Sequence, residues 1–214
     1  MTRPRVEFWF DFASTYSYPA AMRIEGAAEK AGVDVVWRPF LLGPLFASQQ
    51  GLKDSPFNLF PAKGAYMWRD VARLSAGYGL EFTKPSVFPR NSLKAARLAV
   101  AAAEQRWMVG LVKAIYRANF VHDRDIADPE VLAQCVSNAG GDPVAALAAI
   151  EASEVKQALR IATDEAARKG LFGAPTFVAE DGDLFWGNDR LEQALAWAVR
   201  LAEEPGSELQ PPSW

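Results

Sequence analysis

The order of the secondary-structure patterns constrains the fold of this chain more than any other feature. Residues 6–40 read as strand, helix and strand, whereas residues 173–202 read as two strands followed by a helix. The residues between these parts, from about 62 to 170, carry helical patterns. Together, the two outer parts predict an α/β fold with one mixed four-stranded sheet, and the middle predicts an inserted all-helical subdomain.

The N-terminal part has the features of a strand–helix–strand unit. Val6–Phe12 is rich in aromatic residues, and the Ala-rich helical pattern from Tyr16 to Ala31 ends at Gly32. The segment Val33–Phe40 is the second predicted strand. A connection of this kind predicts a parallel strand pair with a right-handed crossover.

The middle of the chain begins with a segment that contains three prolines, Leu41–Pro61, and we predict an irregular functional loop there. Six helices are predicted after it, at residues 62–78, 92–105, 108–121, 129–139, 143–152 and 154–169.

The C-terminal part predicts a β-hairpin and a final helix. Its strands are Gly173–Ala179 and Leu184–Trp186, separated by a tight turn. Asn188 and Asp189 have the side chains of a helix cap and precede the last helical pattern. The predicted domains are therefore 1–45 with 171–214, discontinuous in sequence, and a helical insertion at 46–170.

Composition excludes several classes of function. There are 23 Lys and Arg against 26 Asp and Glu, so a basic nucleic-acid or membrane-surface binder is not expected. The single cysteine, Cys135, and the single histidine, His122, exclude an intramolecular dithiol and a histidine-rich metal site. Cys135 has apolar helical neighbours and is expected in the core, while His122 is expected at the surface. No signal peptide or bilayer-length apolar segment is present, which indicates a cytoplasmic protein.

Several residues suit an anion-binding site, although each also has an ordinary structural explanation. Ser14 lies where the first strand passes into the first helix, so its hydroxyl would join free N–H groups and the positive end of the helix dipole. A capping serine would have the same position. Lys63 is either a ligand for an anion or a solvated surface charge, and Arg38 either lines a cleft or reaches the sheet edge.

Three motifs are distinctive: FDFASTYSY at Phe10–Tyr18, GAPTF at Gly173–Phe177 and WGNDRL at Trp186–Leu191. They resemble the 2-hydroxychromene-2-carboxylate isomerase family, which is related to kappa-class glutathione transferases and, more distantly, to DsbA-type oxidoreductases. Further similar segments are PAKGAYM at residues 61–67, FPRNS at residues 88–92 and DRDIADP at residues 123–129. The resemblance implies a thioredoxin-like fold, a glutathione-dependent activity and a homodimer.

The resemblance also implies how glutathione is held. Ala174, before a cis Pro175, would pair its backbone with the cysteinyl part, although sequence alone favours a trans proline. Asn188 and Asp189 would hold the γ-glutamyl end, and Lys63 would meet the glycyl carboxylate.

The place where thioredoxin-like redox proteins have C-x-x-C reads Ser14-Thr15-Tyr16-Ser17 here. No disulfide can be exchanged without the two sulfurs. The resemblance therefore implies that Ser14 hydrogen-bonds the glutathione sulfur and favours its thiolate, although many members have proline at the position of Thr15. Arg38 is the candidate for a substrate carboxylate.

The implied reaction is isomerisation by reversible thiolate addition to a conjugated double bond of an aromatic pyruvate-type substrate. Two alternatives remain at this stage. One is a kappa-like glutathione transferase or peroxidase, and the other is a non-catalytic thioredoxin-like binding module. No metal, nucleic-acid or membrane partner is expected.

Overall fold

A computed structural model of the chain describes residues 3–203, apart from the side chain of Gln50. Its sheet has four strands in the order β2-β1-β3-β4. They are β1 (Arg5–Phe10), β2 (Asp34–Pro39), β3 (Thr176–Ala179) and β4 (Leu184–Trp186). β1 runs parallel to β2 and antiparallel to β3, and β3 forms a hairpin with β4. The predicted mixed four-stranded sheet is therefore confirmed.

The sequence of β1 explains why this strand lies at the centre of the sheet. Phe8 and Phe10 pack into a large hydrophobic cluster on one face, while Trp9 packs against Phe40 on the other. The uninterrupted apolar run Phe8–Phe10 is typical of a strand segment that is covered on both faces.

The helices surround this sheet. Helix α1 ends at Gly32, whose φ of 71° places it in the left-handed region that favours glycine. The helices are α1 (Ser17–Ala31), α2 (Leu42–Gln50), α3 (Pro56–Leu59), α4 (Pro61–Gly77), α5 (Leu93–Ala101), α6 (Met108–Phe120), α7 (Pro129–Ala139), α8 (Pro143–Ala149), α9 (Ser153–Arg168) and α10 (Leu191–Glu203). The six helices predicted in the middle are present, with α5 and α8 shorter than expected.

The prediction of an irregular segment at residues 41–61 is wrong, because α2 and α3 lie there. The first N–H of α2, that of Leu42, donates to Oδ2 of Asp11 at 2.7 Å. The helix also buries Leu45 in the cluster that contains Trp9 and Phe40. Both interactions come from residues distant in sequence, so the local pattern with its glycine and prolines did not indicate them.

The helical block shares its core with the sheet. The ring of Tyr116 in α6 lies 5.0 Å from that of Phe12, and buried residues of α5, α6 and α7 belong to the same cluster as β1, α1 and α10. The domain boundaries at 45/46 and 170/171 stay a prediction, and residues 204–214 lie outside the described part of the chain. Among residues 3–203, no helix has the length and apolar character needed to cross a membrane.

Candidate active site at the start of helix α1

A cleft of about 1080 Å³ opens beside the start of α1. One wall is a single face of α4, which presents Lys63, Tyr66, Asp70 and Leu74 at helical spacing. From Lys63 to Leu74 this wall is about 16 Å long, at 1.5 Å of rise per residue. The cleft also brings together the predicted residues Ser14, Ala174, Asn188 and Asp189.

Ser14 lies at the cleft and takes part in the start of the helix as well. Its side chain is almost buried, with 8% of the residue exposed. The Oγ atom donates to the carbonyl oxygen of Ala174 at 2.8 Å and accepts the N–H of Ser17 at 3.2 Å. The N-cap residue of α1 is Tyr16, without a side-chain cap, so the interpretation of Ser14 as the capping serine is wrong. Ser14 nevertheless bonds the first helical N–H and lines the cleft.

The segment opposite Ser14 enters β3 through a cis peptide bond between Ala174 and Pro175. The carbonyl of Pro175 accepts the N–H of Gly187 at 2.9 Å, which connects this segment to the turn after β4. At the rim, the rings of Phe172 and Trp186 meet edge to face at 4.8 Å, and both are partly exposed.

Asn188 does not cap the last helix, and that prediction is wrong. Residues 188–190 form a 3-10 turn before α10 with no side-chain cap. The Asn188 side chain is turned inward, and Oδ1 accepts from Nη1 of Arg23 at 2.9 Å. Asp189 stays exposed at the cleft, with Oδ2 3.8 Å from Nη2 of Arg190. Among residues 3–203, the backbone N–H groups of Asn188 and Asp189 have no hydrogen-bond partner.

The two remaining predicted cations differ in position. Lys63 is exposed at the cleft, with Nζ 6.0 Å from the centre of the Phe60 ring and no ion pair within the described residues. Arg38 lies on the edge strand β2 and is absent from the described lining of the cleft, so its role towards a substrate carboxylate stays a prediction. Its Nη2 donates to Oε1 of Glu7 at 3.0 Å. Burial acts to raise the pKa of Glu7, but the hydrogen bonds from Trp9 and Arg38, together with the positive charges of Arg38 and Lys169, outweigh it and lower that pKa.

Asp11 is a cleft residue that the sequence analysis missed. It is 3% exposed, and its oxygens accept the N–H groups of Ala13 at 2.9 Å and Leu42 at 2.7 Å. Burial raises the pKa of this carboxyl, while the two backbone donors and Ser92 act in the opposite direction. Asp11 therefore connects the end of β1, the turn that contains Ser14 and the start of α2. The sequence feature that could have identified Asp11 is its position at the end of a buried strand.

The turn that contains Ser14 is also tied to α4. The Tyr16 hydroxyl donates to Oδ2 of Asp70 at 3.0 Å, and Oγ1 of Thr15 donates to Sδ of Met67 at 3.1 Å. Burial and the Asp70 charge raise the pKa of Tyr16, so its hydroxyl remains a donor at neutral pH. Side-chain contacts thus hold the start of α1 against the wall of the cleft.

Arg90 is almost buried in the lining of the cleft and joins two of the motifs noted in the sequence. Its Nη1 donates to Oδ1 of Asn119 at 3.0 Å and its Nη2 donates to the carbonyl oxygen of Asp123 at 3.0 Å. Nη2 also forms an ion pair with the Asp123 carboxylate. With these donors engaged, Arg90 supports the wall of the cleft rather than offering a free cation.

The cysteine and the histidine lie away from the cleft. Cys135 is buried in the core at 4% exposure, and burial raises the pKa of its thiol to about 11. His122 is exposed. Within the described part of the chain, no group of three or more His, Cys, Asp or Glu side chains is arranged to hold a metal ion.

Comparison with known proteins gives consistent matches over nearly the whole chain. The family model for the DSBA-like thioredoxin domain matches residues 5–196. A 2-hydroxychromene-2-carboxylate isomerase of Sphingobium xenophagum is 28% identical over 87% of this chain and 94% of its own length. A protein of Caenorhabditis elegans named glutathione s-transferase kappa 2 is 26% identical over 98% of both chains.

A solved structure of 2-hydroxychromene-2-carboxylate isomerase superposes with a TM-score of 0.82 at 23% identity. The superposition covers 97% of this chain and 100% of that one. It therefore supports a thioredoxin-like fold with helices inserted between the two halves of the sheet.

Proposed function

We propose, since the chain belongs to the DSBA-like thioredoxin domain family, that it is an enzyme that uses the sulfur of bound glutathione in place of a cysteine of its own. The observation that carries this proposal is Ser14, whose hydroxyl faces the carbonyl of Ala174 beside the cis Pro175. The single cysteine, Cys135, is buried elsewhere.

Within this class we propose an isomerase that resembles 2-hydroxychromene-2-carboxylate isomerase. Two proteins of that name, from Sphingobium xenophagum and Pseudomonas putida, are each 28% identical to this chain. The lining of the cleft includes the apolar side chains of Leu42, Phe46, Phe57 and Phe88, which suit an aromatic substrate.

The dimensions and the charges of the cleft fit the tripeptide. Three extended residues span about 11 Å, and the γ-linkage of glutathione and the long side chain of Lys63 add to this reach, so the tripeptide can lie along the wall of α4, about 16 Å long. We propose that Lys63 binds the glycyl carboxylate. The free N–H groups of Asn188 and Asp189 would receive the γ-glutamyl carboxylate, and the Asp189 carboxylate would receive the ammonium group.

When bound, glutathione supplies a thiolate that adds to a conjugated double bond of the substrate and leaves again after that bond has rotated. The protein's part begins with the Ser14 hydroxyl, which has a single proton to donate. In the structure this proton is directed at the carbonyl oxygen of Ala174. A ligand N–H at that carbonyl would replace Ser14 there and leave its hydroxyl free to donate to sulfur.

The start of α1 acts on the same sulfur position. The positive end of its dipole favours an anion, and Ser14 adds a directed donor. We expect a thiol pKa about one to two units below its free value of about 8.5, where each unit corresponds to about 1.4 kcal/mol.

A kappa-like glutathione transferase or peroxidase is the second candidate, favoured by similarity to the Caenorhabditis elegans protein along 98% of both chains. It would use the same site but consume glutathione. A non-catalytic binding module is less well supported. The cleft is lined by both Lys63 and Asp189, which suit the two charged ends of a tripeptide that such a module need not bind.

The test follows free thiol during turnover of 2-hydroxychromene-2-carboxylate at a substoichiometric amount of glutathione. An isomerase completes many turnovers with the thiol concentration unchanged, whereas a transferase or peroxidase stops when the thiol is exhausted. No turnover and no calorimetric binding of glutathione would contradict both candidates and favour the binding module.

We also propose that the protein is a cytoplasmic homodimer. Light scattering tests the oligomeric state, and cell fractionation tests the location.

A further inference from the structure

We propose that Arg23 is a positioning residue for the glutathione site, which acts by fixing Asn188 and, through it, the backbone N–H groups of Asn188 and Asp189. This inference rests on the proposed function, because it assigns the γ-glutamyl end of the tripeptide to those N–H groups.

Arg23 projects from α1 and joins three parts of the molecule. Its side chain is largely buried, with 16% exposed. Nη1 donates to Oδ1 of Asn188 at 2.9 Å, and Nη2 forms an ion pair with Glu192 in the first turn of α10. The guanidinium also lies 3.8 Å from the centre of the Tyr78 ring, directly after α4.

These contacts determine the orientation of the Asn188 amide. A guanidinium has only donors, so Oδ1 of Asn188 must face Arg23 and Nδ2 must face away from it. Nδ2 donates to the hydroxyl of Tyr78 at 3.4 Å. With both ends of the amide engaged and 2% of the residue exposed, Asn188 offers the cleft its backbone rather than its side chain.

The turn needs such an anchor because the preceding residue is Gly187. Its φ of 116° lies where other residues are strained, and glycine alone restricts the chain weakly. The N–H of Gly187 is held by Pro175, and its carbonyl accepts the N–H of Arg190. The peptide groups of Asn188 and Asp189 lie between these two contacts, and Arg23 reaches them through the Asn188 amide.

We expect Arg23 to affect glutathione binding through the geometry of the turn rather than through its charge. Glu192 offsets its charge, so a carboxylate in the cleft gains little from Arg23 as a distant cation. A lysine at position 23 would retain the charge, but it lacks the planar fork that bonds Asn188 and Glu192 while stacking on Tyr78. Arg23→Lys therefore separates geometry from charge.

The experiment measures glutathione binding to the full chain by calorimetry, with kcat at saturating glutathione as the second readout. Arg23→Met and Arg23→Lys are expected to weaken binding about tenfold, the scale of one charged hydrogen bond, with kcat retained. Glu192→Gln is the matched control. It removes the exposed ion pair and leaves the Asn188 contact, so its Kd should stay within about twofold of the wild-type value.

A double-mutant cycle tests whether Arg23 acts through Asn188. Asn188→Ala should weaken binding as much as Arg23→Met, and the double variant should bind no more weakly than either single variant. Wild-type glutathione affinity in Arg23→Met and Arg23→Lys would overturn this inference and leave the proposed function standing. The same holds if the increases in Kd of the two single variants multiply in the double variant.

Failure of the wild-type chain to bind glutathione would instead contradict the proposed function. Thermal unfolding establishes that each variant is folded. If Arg23→Met does not fold, Arg23→Lys and Asn188→Ala decide the question.

Discussion

The two ends of the cleft are built differently. At one end, the turn at residues 187–190 is held from several directions, and Asn188 is bonded to Arg23 and Tyr78. At the other end, Lys63 is exposed and has one distant ring contact, with Phe60. One end is therefore preorganised, while the other relies on a flexible cation.

This difference has an energetic consequence for a ligand that spans both ends. A turn that is already ordered loses little conformational entropy on binding, whereas a lysine side chain gives up rotamer freedom, up to about 2 kcal/mol. An exposed cation is also screened by salt. We expect the turn to provide most of the affinity and Lys63 to provide a smaller contribution that depends on ionic strength.

The largest effect is expected between the two ends, at Ser14. Ser14→Ala removes the sulfur donor and leaves both end sites intact, so kcat should fall about 10- to 100-fold, in line with a thiol pKa raised by one to two units. The Kd for glutathione should change less than about threefold. Steady-state kinetics together with calorimetry separates the two quantities.

Ser17→Ala is the matched control, because this hydroxyl is in the same turn but does not line the cleft. Its kcat should equal that of the wild type. An unchanged kcat in Ser14→Ala would exclude the assigned role of Ser14.

The second-largest effect is expected on glutathione binding at the ordered end of the cleft, in the turn at residues 187–190. In Gly187→Ala, the new Cβ would lie 2.5 Å from Oδ1 of Asp189 at a backbone with φ of 116°. The Asp189 carboxylate must move away and the backbone is strained at this φ, so glutathione binding should weaken about tenfold, with a stability loss of about 1–3 kcal/mol.

Gly182→Ala is the control for backbone strain, since Gly182 has a φ of 92° with open space around it and lies away from the cleft. It should lower the melting temperature while the Kd for glutathione stays unchanged. If Gly187→Ala and Gly182→Ala bind glutathione with the same Kd, the turn at residues 187–190 does not act as a preorganised binding end.

A smaller effect is expected at the flexible end. Lys63→Met should raise the Kd for glutathione about threefold at low salt, and the difference should disappear at high salt. Lys53→Met, at an exposed lysine that does not line the cleft, serves as the control. A loss as large as that of Gly187→Ala, unaffected by salt, would show that Lys63 is not the minor contributor.

No effect on catalysis is expected at the buried thiol. With a pKa of about 11, Cys135 is a thiolate in about one molecule in a thousand at pH 8. Cys135→Ala should retain full glutathione-dependent activity, and the native chain should react with a thiol reagent only after unfolding. Loss of activity in Cys135→Ala would mean that the protein does use its own sulfur.

Local sequence patterns predicted the strands, α1 and the helical middle because apolar spacing, glycine ends and proline-led caps act over a few residues. Helix α2 was missed because the acceptor at its start, Asp11, lies 31 residues earlier in the chain. The sequence therefore predicted elements that are stabilised locally and failed where a distant residue provides the cap.

The same distinction applies to the site. Ser14 and Lys63 were placed at the cleft by local motifs, and both line it. The partner of Asn188 is Arg23, separated from it by 165 residues, so a cap was the natural local interpretation. The pairing of Arg38 with Glu7 was not predicted for the same reason, since it depends on the register of β1 and β2.

The most direct measurement is the pKa of the thiol of bound glutathione, followed by ultraviolet thiolate absorbance as the complex is titrated. Cys135 does not interfere, because its own pKa of about 11 lies well above the range of interest. We predict a value about one to two units below that of free glutathione, returning toward the free value in Ser14→Ala. A bound thiol with the pKa of the free tripeptide, identical in both proteins, would contradict the assignment of Ser14 and the start of α1 as the site that activates a borrowed sulfur.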